Sequence, residues 1–219
     1  MYKSTHKKDK YYNENSPINP DDTKIAILGR SSNSLIDAPI DDDTWRKWSL
    51  NDNTQRFDVS KFEKWFDLHS YVYNHNFKKT NHGSFLNSIQ PKLILMDDDV
   101  LGLLKKHDNY PEAEKFGLSA IVAHFNSLYF TCSIAYMIAY ALYTENPSNL
   151  TIGLFGIDLA NREEYREQRQ CVLYWVGRAI QAGANVVISK NSALFGYTRM
   201  YGLDKNPVEV KDEFCTITI

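Results

Sequence analysis

The segment over residues 150–189 constrains the fold more than any other part of this chain. It begins with a short apolar run, Leu150–Phe155, and continues into Glu163–Ala182, where apolar residues recur every three or four positions, as on one face of a helix. Gly183 supplies a helix stop, and a second apolar run, Asn185–Ser189, follows it. A strand, helix and strand in this order form a right-handed crossover between parallel strands. The chain is therefore predicted to be an α/β protein with helices flanking a mostly parallel sheet.

Other short apolar runs repeat the strand pattern, and most are bounded by polar residues or glycine. A second helical pattern lies at Thr131–Tyr143. The polar stretch Asn74–Ser88 is predicted to be a mobile loop that could act as a lid. The remaining predicted strands are Lys24–Leu28, Trp45–Leu50, Lys64–Leu68 and Lys92–Met96.

Length and composition favour one globular domain over residues 23–219. With 219 residues, of which 43% are apolar, the chain can bury a core without disulfides or a structural metal. Residues 1–22 are polar and carry almost no aliphatic side chains, so we predict a disordered tail there. The 3 cysteines are an odd number without a CxxC pair, which indicates a reducing compartment.

Charge and hydropathy argue against two classes of partner. A formal net charge of -2 is too balanced for a broad nucleic-acid-binding face. The longest apolar stretch, residues 134–142, has about half of the roughly 20 residues that a bilayer span needs, and the N-terminus has no apolar signal core. We therefore expect a cytoplasmic protein with no membrane span. Whether it forms a homo-oligomer stays open.

The residues that follow the first predicted strand are candidates for a ligand site, because ligands of open parallel sheets lie beyond the carboxyl ends of the strands. These small polar residues could hold an anion through backbone N–H groups and hydroxyls, or they could simply cap a helix. The turn lacks the spacing of a dinucleotide fingerprint or a P-loop. It consists of Gly29, Arg30, Ser31, Ser32, Asn33 and Ser34.

Two later clusters lie at comparable positions. Thr131, Cys132 and Ser133 precede the second helical pattern, where hydroxyls either cap the helix or bind a ligand. Gly156 and Asp158 follow the next apolar run. An aspartate there can accept hydrogen bonds from ribose hydroxyls, bind a metal, act as a base or cap the following helix.

Charged residues near these clusters allow both functional and structural interpretations. Arg162, Arg166 and Arg169 fall on one face of the predicted helix, where they either clamp phosphate or form a solvated surface with neighbouring glutamates. His69 ends a predicted strand, and fits a general base or a hydrogen-bonded, partly buried histidine.

Metal and hydrolase chemistry have little support in the sequence. The acidic triplets Asp41–Asp43 and Asp97–Asp99 could hold Mg²⁺, but such runs are more often solvated loops or helix caps, so no metal site is predicted. The chain has no G-x-S-x-G elbow, no H-E-x-x-H and no paired Cys/His spacing.

In chain order, the strand-end segments KIAILGRSSNSL, WSLN, FTCSIAYMIAYAL and IGLFGIDLANREEY resemble those of a known family. They are similar to the bacterial sialyltransferases built on a single Rossmann-like domain, and to a wider superfamily that includes 6-hydroxymethylpterin pyrophosphokinase-like proteins and phage-encoded members. The resemblance spans roughly Lys24 to Ser192. It implies a single Rossmann-like, nucleotide-binding domain.

The resemblance also implies roles for single residues. The turn from Gly29 to Ser34 would bind donor phosphates, and Asn51, after the second strand, would contact the nucleotide. The other two clusters would complete the donor site. The family's general-base histidine lies after the Gly-x-Asp turn, whereas residues 159–180 contain no histidine here. Either another base, His69, Asp158 or Glu164, takes its place, or the reaction differs from that of the family.

The predicted function is nucleotide-dependent group transfer, and more specifically glycosyl transfer from a CMP- or UDP-linked sugar. Thr131 and Ser133 would hold phosphate or sugar, while Asn51 and Asp158 would orient the nucleoside. Two alternatives stay open: Mg²⁺-dependent diphosphate transfer to a small heterocycle, and non-catalytic sequestration of a nucleotide. The acceptor and the metal requirement are left open. The cations expected to neutralise the leaving phosphate are Arg30, Arg162 and Arg169.

Overall fold

The computed structural model describes residues 21–51, 53, 57–69, 81–97, 108, 110–160, 163–195 and 214–217, with the backbone alone for residues 81, 163–165 and 214–217. The predicted tail, up to residue 20, lies outside the described residues. The carboxylate of Asp22 already belongs to the folded part, because it accepts hydrogen bonds from Thr151 Oγ1 at 3.2 Å and from Asn185 Nδ2 at 3.1 Å.

The prediction of an α/β fold with a mostly parallel sheet is confirmed. The described strands form one sheet, in which seven neighbouring strands run parallel and the last strand is antiparallel at one edge. The strands are β1 (Thr23–Leu28), β2 (Trp45–Leu50), β3 (Lys64–Asp67), β4 (Leu93–Leu95), β5 (Glu114–Lys115), β6 (Leu150–Phe155), β7 (Asn185–Ser189) and β8 (Phe214–Ile217). Their order across the sheet is β5-β4-β3-β2-β1-β6-β7-β8.

The central strands are apolar along their whole length because both faces of the sheet are covered. Residues 25–28 of β1 are fully buried, although successive side chains point to opposite faces. One face packs under α3, α4 and α5, and the other face packs against α2 and neighbouring loops. The helices are α1 (Ser32–Leu35), α2 (Asn81–Ser88), α3 (Leu118–Phe125), α4 (Ser133–Thr144) and α5 (Glu163–Gln181). Among the described helices, none is long and apolar enough to cross a membrane.

The mobile loop predicted over residues 74–88 is wrong for its second half, since residues 81–88 form α2. Residues 74–80 lie outside the described part of the chain. Few apolar residues were available to signal this helix, but they fall at helical spacing. Phe85 stacks edge-on against Trp65, and Leu86 is 1% exposed. Burial against the sheet therefore stabilises a segment whose composition is mostly polar.

The order in which strands are added to the sheet reverses at its centre, between β1 and β6. This reversal determines where the site lies. From β1 it proceeds outward to β2 and on to β5, and it then returns to pair β6 with the other edge of β1. Leu35, in the connection after β1, packs on one face of the sheet, whereas the buried side chains of α5, after β6, pack on the opposite face. A crevice opens where two such connections diverge, at the carboxyl ends of adjacent strands.

Candidate functional site

A cleft of about 950 Å³ lies at this divergence between β1 and β6. Its lining includes most residues of the three predicted clusters, which are separated by up to about 130 positions in sequence. The cleft also contains Asn51 and His69, from the ends of β2 and β3. Of the predicted residues, the structure places the following on the cleft wall: Gly29, Arg30, Ser31, Asn33, Asn51, His69, Thr131, Cys132, Ser133, Gly156 and Asp158.

Two glycines form the floor of the cleft, where the backbones of the β1 and β6 turns touch. A Cβ atom on Gly29 would lie 2.4 Å from the carbonyl oxygen of Gly156. Gly156 itself has φ +69°, a left-handed conformation that favours glycine. The Ser31 N–H donates to the Gly156 carbonyl at 2.8 Å. The structure thus explains why position 29 is a glycine: its backbone contacts the backbone of a second turn. The sequence alone did not show this contact.

Asp158 joins the two turns through its side chain. The Ser34 hydroxyl donates to Oδ1 at 2.5 Å, and the Ser31 hydroxyl donates to Oδ2. Ser34 is fully buried, and Ser32 is exposed and is not part of the cleft wall. Both carboxylate oxygens are therefore engaged, and the two hydroxyls point their protons at a carboxylate rather than at a ligand.

Asn51 brings a buried acceptor to the cleft. Its Oδ1 atom is buried and has no hydrogen-bond partner among the described residues. The backbone has φ +50° and is held on both sides, because its N–H donates to the Phe66 carbonyl and its carbonyl accepts from Trp65 Nε1, each at 2.9 Å. An acceptor in this state favours a ligand that offers an N–H or O–H group.

The N-terminus of α4 forms another part of the wall. Cys132 is the N-cap, and its side chain makes no capping hydrogen bond. Burial raises the pKa of the Cys132 thiol to about 11, so the thiol is neutral at physiological pH. The Thr131 hydroxyl donates to the Glu167 carbonyl at 3.3 Å. Ser133 and Ile134 line the cleft, so the first turn of α4 forms part of its wall.

An aromatic stack closes the side of the cleft next to α4. Phe130 lies between Tyr136 and Trp175, with ring centroids 4.4 and 4.8 Å apart and interplanar angles of 3° and 21°. Because both faces of Phe130 are covered, only its edge is available to a ligand. Burial raises the pKa of the Tyr136 hydroxyl, which keeps this wall uncharged.

The candidate bases differ in their surroundings. The His69 side chain is 56% exposed at the cleft, and its Nδ1 lies 3.6 Å from Oδ1 of the buried Asp67 carboxylate. Asp158 is occupied by two serine hydroxyls. The backbone of Glu164 lies in the first turn of α5, and its side chain lies outside the described part of the structure.

Of the three predicted phosphate-neutralising cations, two lie in the described part of the structure, and only one of these two lines the cleft. Arg30 is exposed and lines the cleft. Arg169 is absent from the lining, and its Nε donates to the Leu194 carbonyl at 2.7 Å, which ties α5 to the loop after β7. Arg162 lies outside the described residues. Its proposed role therefore stays a prediction.

The described residues of the two acidic triplets make local structural contacts. Asp97 accepts hydrogen bonds from the N–H groups of Gly117 at 2.8 Å and Leu118 at 2.5 Å, and so caps α3. Asp42 accepts from the Thr44 N–H at 2.9 Å, and Asp41 forms an ion pair with Lys61. Within the described residues, no group of three or more His, Cys, Asp or Glu side chains is placed to hold a metal ion.

Sequence reasoning missed several residues of the site. Asp67 and His82 form a partly buried pair beside His69, and Tyr136 and Gln168 line the cleft. One feature of the sequence could have indicated Asp67, which lies near the end of the same predicted strand as His69. No feature indicated His82, because it lies in a segment that was predicted to be a loop.

Comparisons with known proteins give likenesses in structure only. No protein-family model matches the sequence, and no curated protein does. The chain is similar to the sialyltransferase CstII from Campylobacter jejuni in complex with a substrate analogue, CMP-3FNeuAc, at 14% identity and a TM-score of 0.48, with 75% of this chain and 79% of that chain covered. It is also similar to a variant of sialyltransferase Cst-II in complex with CMP, at 13% identity and a TM-score of 0.46, covering 75% and 80%.

Both structures carry the name of the family that the motifs resemble, and the pterin pyrophosphokinase-like and phage parts of that resemblance are not supported. At these identities a likeness does not transfer a ligand or a reaction to this chain.

Proposed function

We propose that this protein binds a nucleotide-sugar donor in the cleft between β1 and β6 and transfers the sugar to an acceptor hydroxyl. The observation that carries the proposal is the convergence of the strand-end segments on one cleft of about 950 Å³. That volume is at the upper end of the range of about 300–1,000 Å³ for small-molecule sites. The cleft therefore brings together groups suited to three tasks, which are binding phosphate, accepting hydrogen bonds and taking up a proton.

The leaving phosphate binds at the N-terminus of α4. This helix has 12 residues, so its N-terminal dipole attracts negative charge. The Ser133 hydroxyl lies in the same wall, and Arg30 supplies a cation on the opposite, β1 side. Together they stabilise the negative charge that builds on the phosphate as the sugar leaves.

The nucleoside binds against Asn51. Its buried Oδ1 atom accepts a hydrogen bond from an exocyclic amine of the base or from a sugar hydroxyl. Asp158 sets the shape of this site by holding the Gly29–Ser34 turn through Ser31 and Ser34. The identity of the base, whether that of CMP, UDP or another nucleotide, depends on which donor group meets Asn51.

His69 acts as the general base. It is more exposed to the cleft than Asp158, whose oxygens both accept hydrogen bonds from serines. An imidazole nitrogen of His69 takes the proton of the acceptor hydroxyl as the hydroxyl oxygen forms a bond to the anomeric carbon. The bond from that carbon to the phosphate oxygen breaks, and the phosphate keeps the electron pair.

The test is an assay of CMP-, UDP-, GDP- and ADP-linked sugars that measures release of free nucleotide, with donor binding followed by calorimetry. One donor class should bind and turn over. His69→Gln should lower the rate by about 10²–10⁴-fold, the usual contribution of a general base, with little change in the donor Kd. His124→Gln is the matched control, because His124 is an exposed histidine on α3 that does not line the cleft.

The outcomes separate the alternatives. Binding without turnover, with the donor recovered intact, would indicate a sequestering protein instead. Full activity in excess chelator would exclude Mg²⁺-dependent diphosphate transfer. If none of the four nucleotides binds, the proposed function is wrong.

A further inference from the structure

A buried carboxylate and two imidazoles form a cluster at the end of β3. Asp67 is 1% exposed, and its Oδ2 lies 2.9 Å from Nε2 of His82 on α2. Its Oδ1 faces Nδ1 of His69 at 3.6 Å. The His82 side chain is 15% exposed, whereas that of His69 is 56% exposed in the cleft. The most buried group of the cluster is therefore the carboxylate, which lies between the largely buried His82 and the cleft-exposed His69.

The geometry favours one protonation pattern. A buried carboxylate is stabilised by N–H donors, and a neutral imidazole carries only one N–H. His82 offers its N–H through Nε2, at hydrogen-bond distance. His69 can offer an N–H toward Asp67 only through Nδ1, which makes Nε2 the nitrogen with the lone pair. At 3.6 Å the Nδ1 contact is longer than a hydrogen bond, but the nearby carboxylate still attracts a proton on Nδ1 more strongly than one on the more distant Nε2.

We propose that Asp67 is a positioning residue that holds His69 in the Nδ1–H tautomer, so that Nε2 receives the proton of the acceptor, and that His82 fixes the Asp67 carboxylate. The role in proton transfer rests on the proposed function. The tautomer and its dependence on Asp67 do not. The imidazolium formed after proton transfer is stabilised by the adjacent carboxylate, which itself stays ionised.

The first experiment reads the tautomer in the ligand-free, full-length protein. The ¹⁵N chemical shifts of the imidazole nitrogens, recorded at alkaline pH where histidines are neutral, identify which nitrogen carries the proton. His69→Gln assigns the signal. We expect the Nδ1–H form in the wild type and a shift toward Nε2–H in Asp67→Asn. Nε2–H in the wild type, or no change in Asp67→Asn, would overturn the proposal.

The second experiment measures transfer kinetics in the same variants. Asp67→Asn should lower kcat by on the order of 10–100-fold with the donor Kd unchanged, and His82→Gln should lower it less. Asp22→Asn is the matched control, since Asp22 is also a buried carboxylate but lies at the amino ends of the strands. Equal kcat values for Asp67→Asn and Asp22→Asn would contradict the positioning role.

The two experiments keep the proposals distinguishable. If no donor is found, the proposed function fails, while the wild-type ¹⁵N spectrum still decides the tautomer. If Asp67→Asn does not fold, the wild-type spectrum and His82→Gln carry the test, because disturbing the carboxylate through His82 should also weaken the preference of His69 for Nδ1–H. A tautomer unchanged in His82→Gln would then count against the cluster.

Discussion

At the scale of single residues, the contact between Gly29 and Gly156 decides whether the cleft can form. The two turns approach so closely that each glycine meets the other's backbone, which cannot move aside as a flexible side chain would. The Gly29 N–H also donates to the Phe155 carbonyl at 2.8 Å, which extends the pairing of β1 with β6 into the turn. The shape of the floor therefore depends on the absence of two Cβ atoms.

Gly29→Ala should destabilise the protein by about 2 kcal/mol or more, because the new Cβ would overlap the Gly156 carbonyl oxygen. Gly177→Ala is the matched control. Gly177 is an exposed residue of α5 with open space around its Cβ position, so alanine there should stabilise by roughly 0.5–1 kcal/mol. Urea unfolding of both variants measures the difference. Equal stabilities would show that the two turns are not in contact.

At the scale of elements, an ion-pair network joins the sheet to α4 at the end opposite the cleft. Arg46 on β2 contacts Glu63, just before β3, at 2.6 Å, and Glu145, just after α4, at 2.7 Å. Trp48 Nε1 also donates to Glu63 at 3.2 Å. Burial alone would raise the pKa of Glu63, but the hydrogen bonds from Arg46 and Trp48 outweigh burial and hold this pKa below its ordinary value.

The contribution of Glu63 to stability should depend on pH in a defined direction. A folded-state pKa below the ordinary 4.5 means that the stabilisation is complete above about pH 4.5 and is lost as the pH falls through the folded-state value. Glu63→Gln should therefore be less stable than the wild type at neutral pH, with a gap that closes in acid. Urea unfolding from pH 7 to pH 3 measures the gap.

Glu112→Gln serves as the control for this pH series, because Glu112 is an exposed glutamate with no ion pair to an arginine or lysine among the described contacts. A gap between wild type and Glu63→Gln that is constant across the pH range would contradict the role assigned to the network.

At the scale of the whole molecule, the site is formed where several strands of the sheet end, and no single segment of the chain forms it. Its walls come from the turns after β1 and β6, from the ends of β2 and β3, and from the start of α4. A ligand that spans the cleft contacts both halves of the sheet, on either side of the β1 and β6 pair. Binding to the folded state alone should therefore stabilise the entire domain.

Hydrogen exchange with and without the nucleotide that binds best should show this convergence directly. Protection is expected together in residues 29–33, 131–134 and 156–159, because all three segments line the cleft. Residues 146–149, which precede β6 at the opposite end of the sheet, are the internal control. Protection confined to one of the three segments, or equal at residues 146–149, would contradict a ligand bound across the cleft.

Several elements could be predicted from the sequence because their signals are local. The strand and helix patterns over residues 150–189 became β6, α5 and β7, and Gly183 ends the helix with φ +98°. The edges of the sheet were missed: β5 has only two residues, and β8 pairs antiparallel with β7. α2 was missed because its stability comes from packing on Trp65 rather than from its own composition.

The sequence by itself determined the alternation of strands and helices, and with it the set of turns that had to gather at one end of the sheet. Only the tertiary structure decided which side chains meet there. Asp158 binds Ser31 and Ser34 across more than 120 positions, and Asp67 meets His82 through a helix that the sequence did not reveal. Periodicity and turn chemistry act over a few residues, whereas a hydrogen bond between distant side chains requires backbone positions that only the assembled sheet defines.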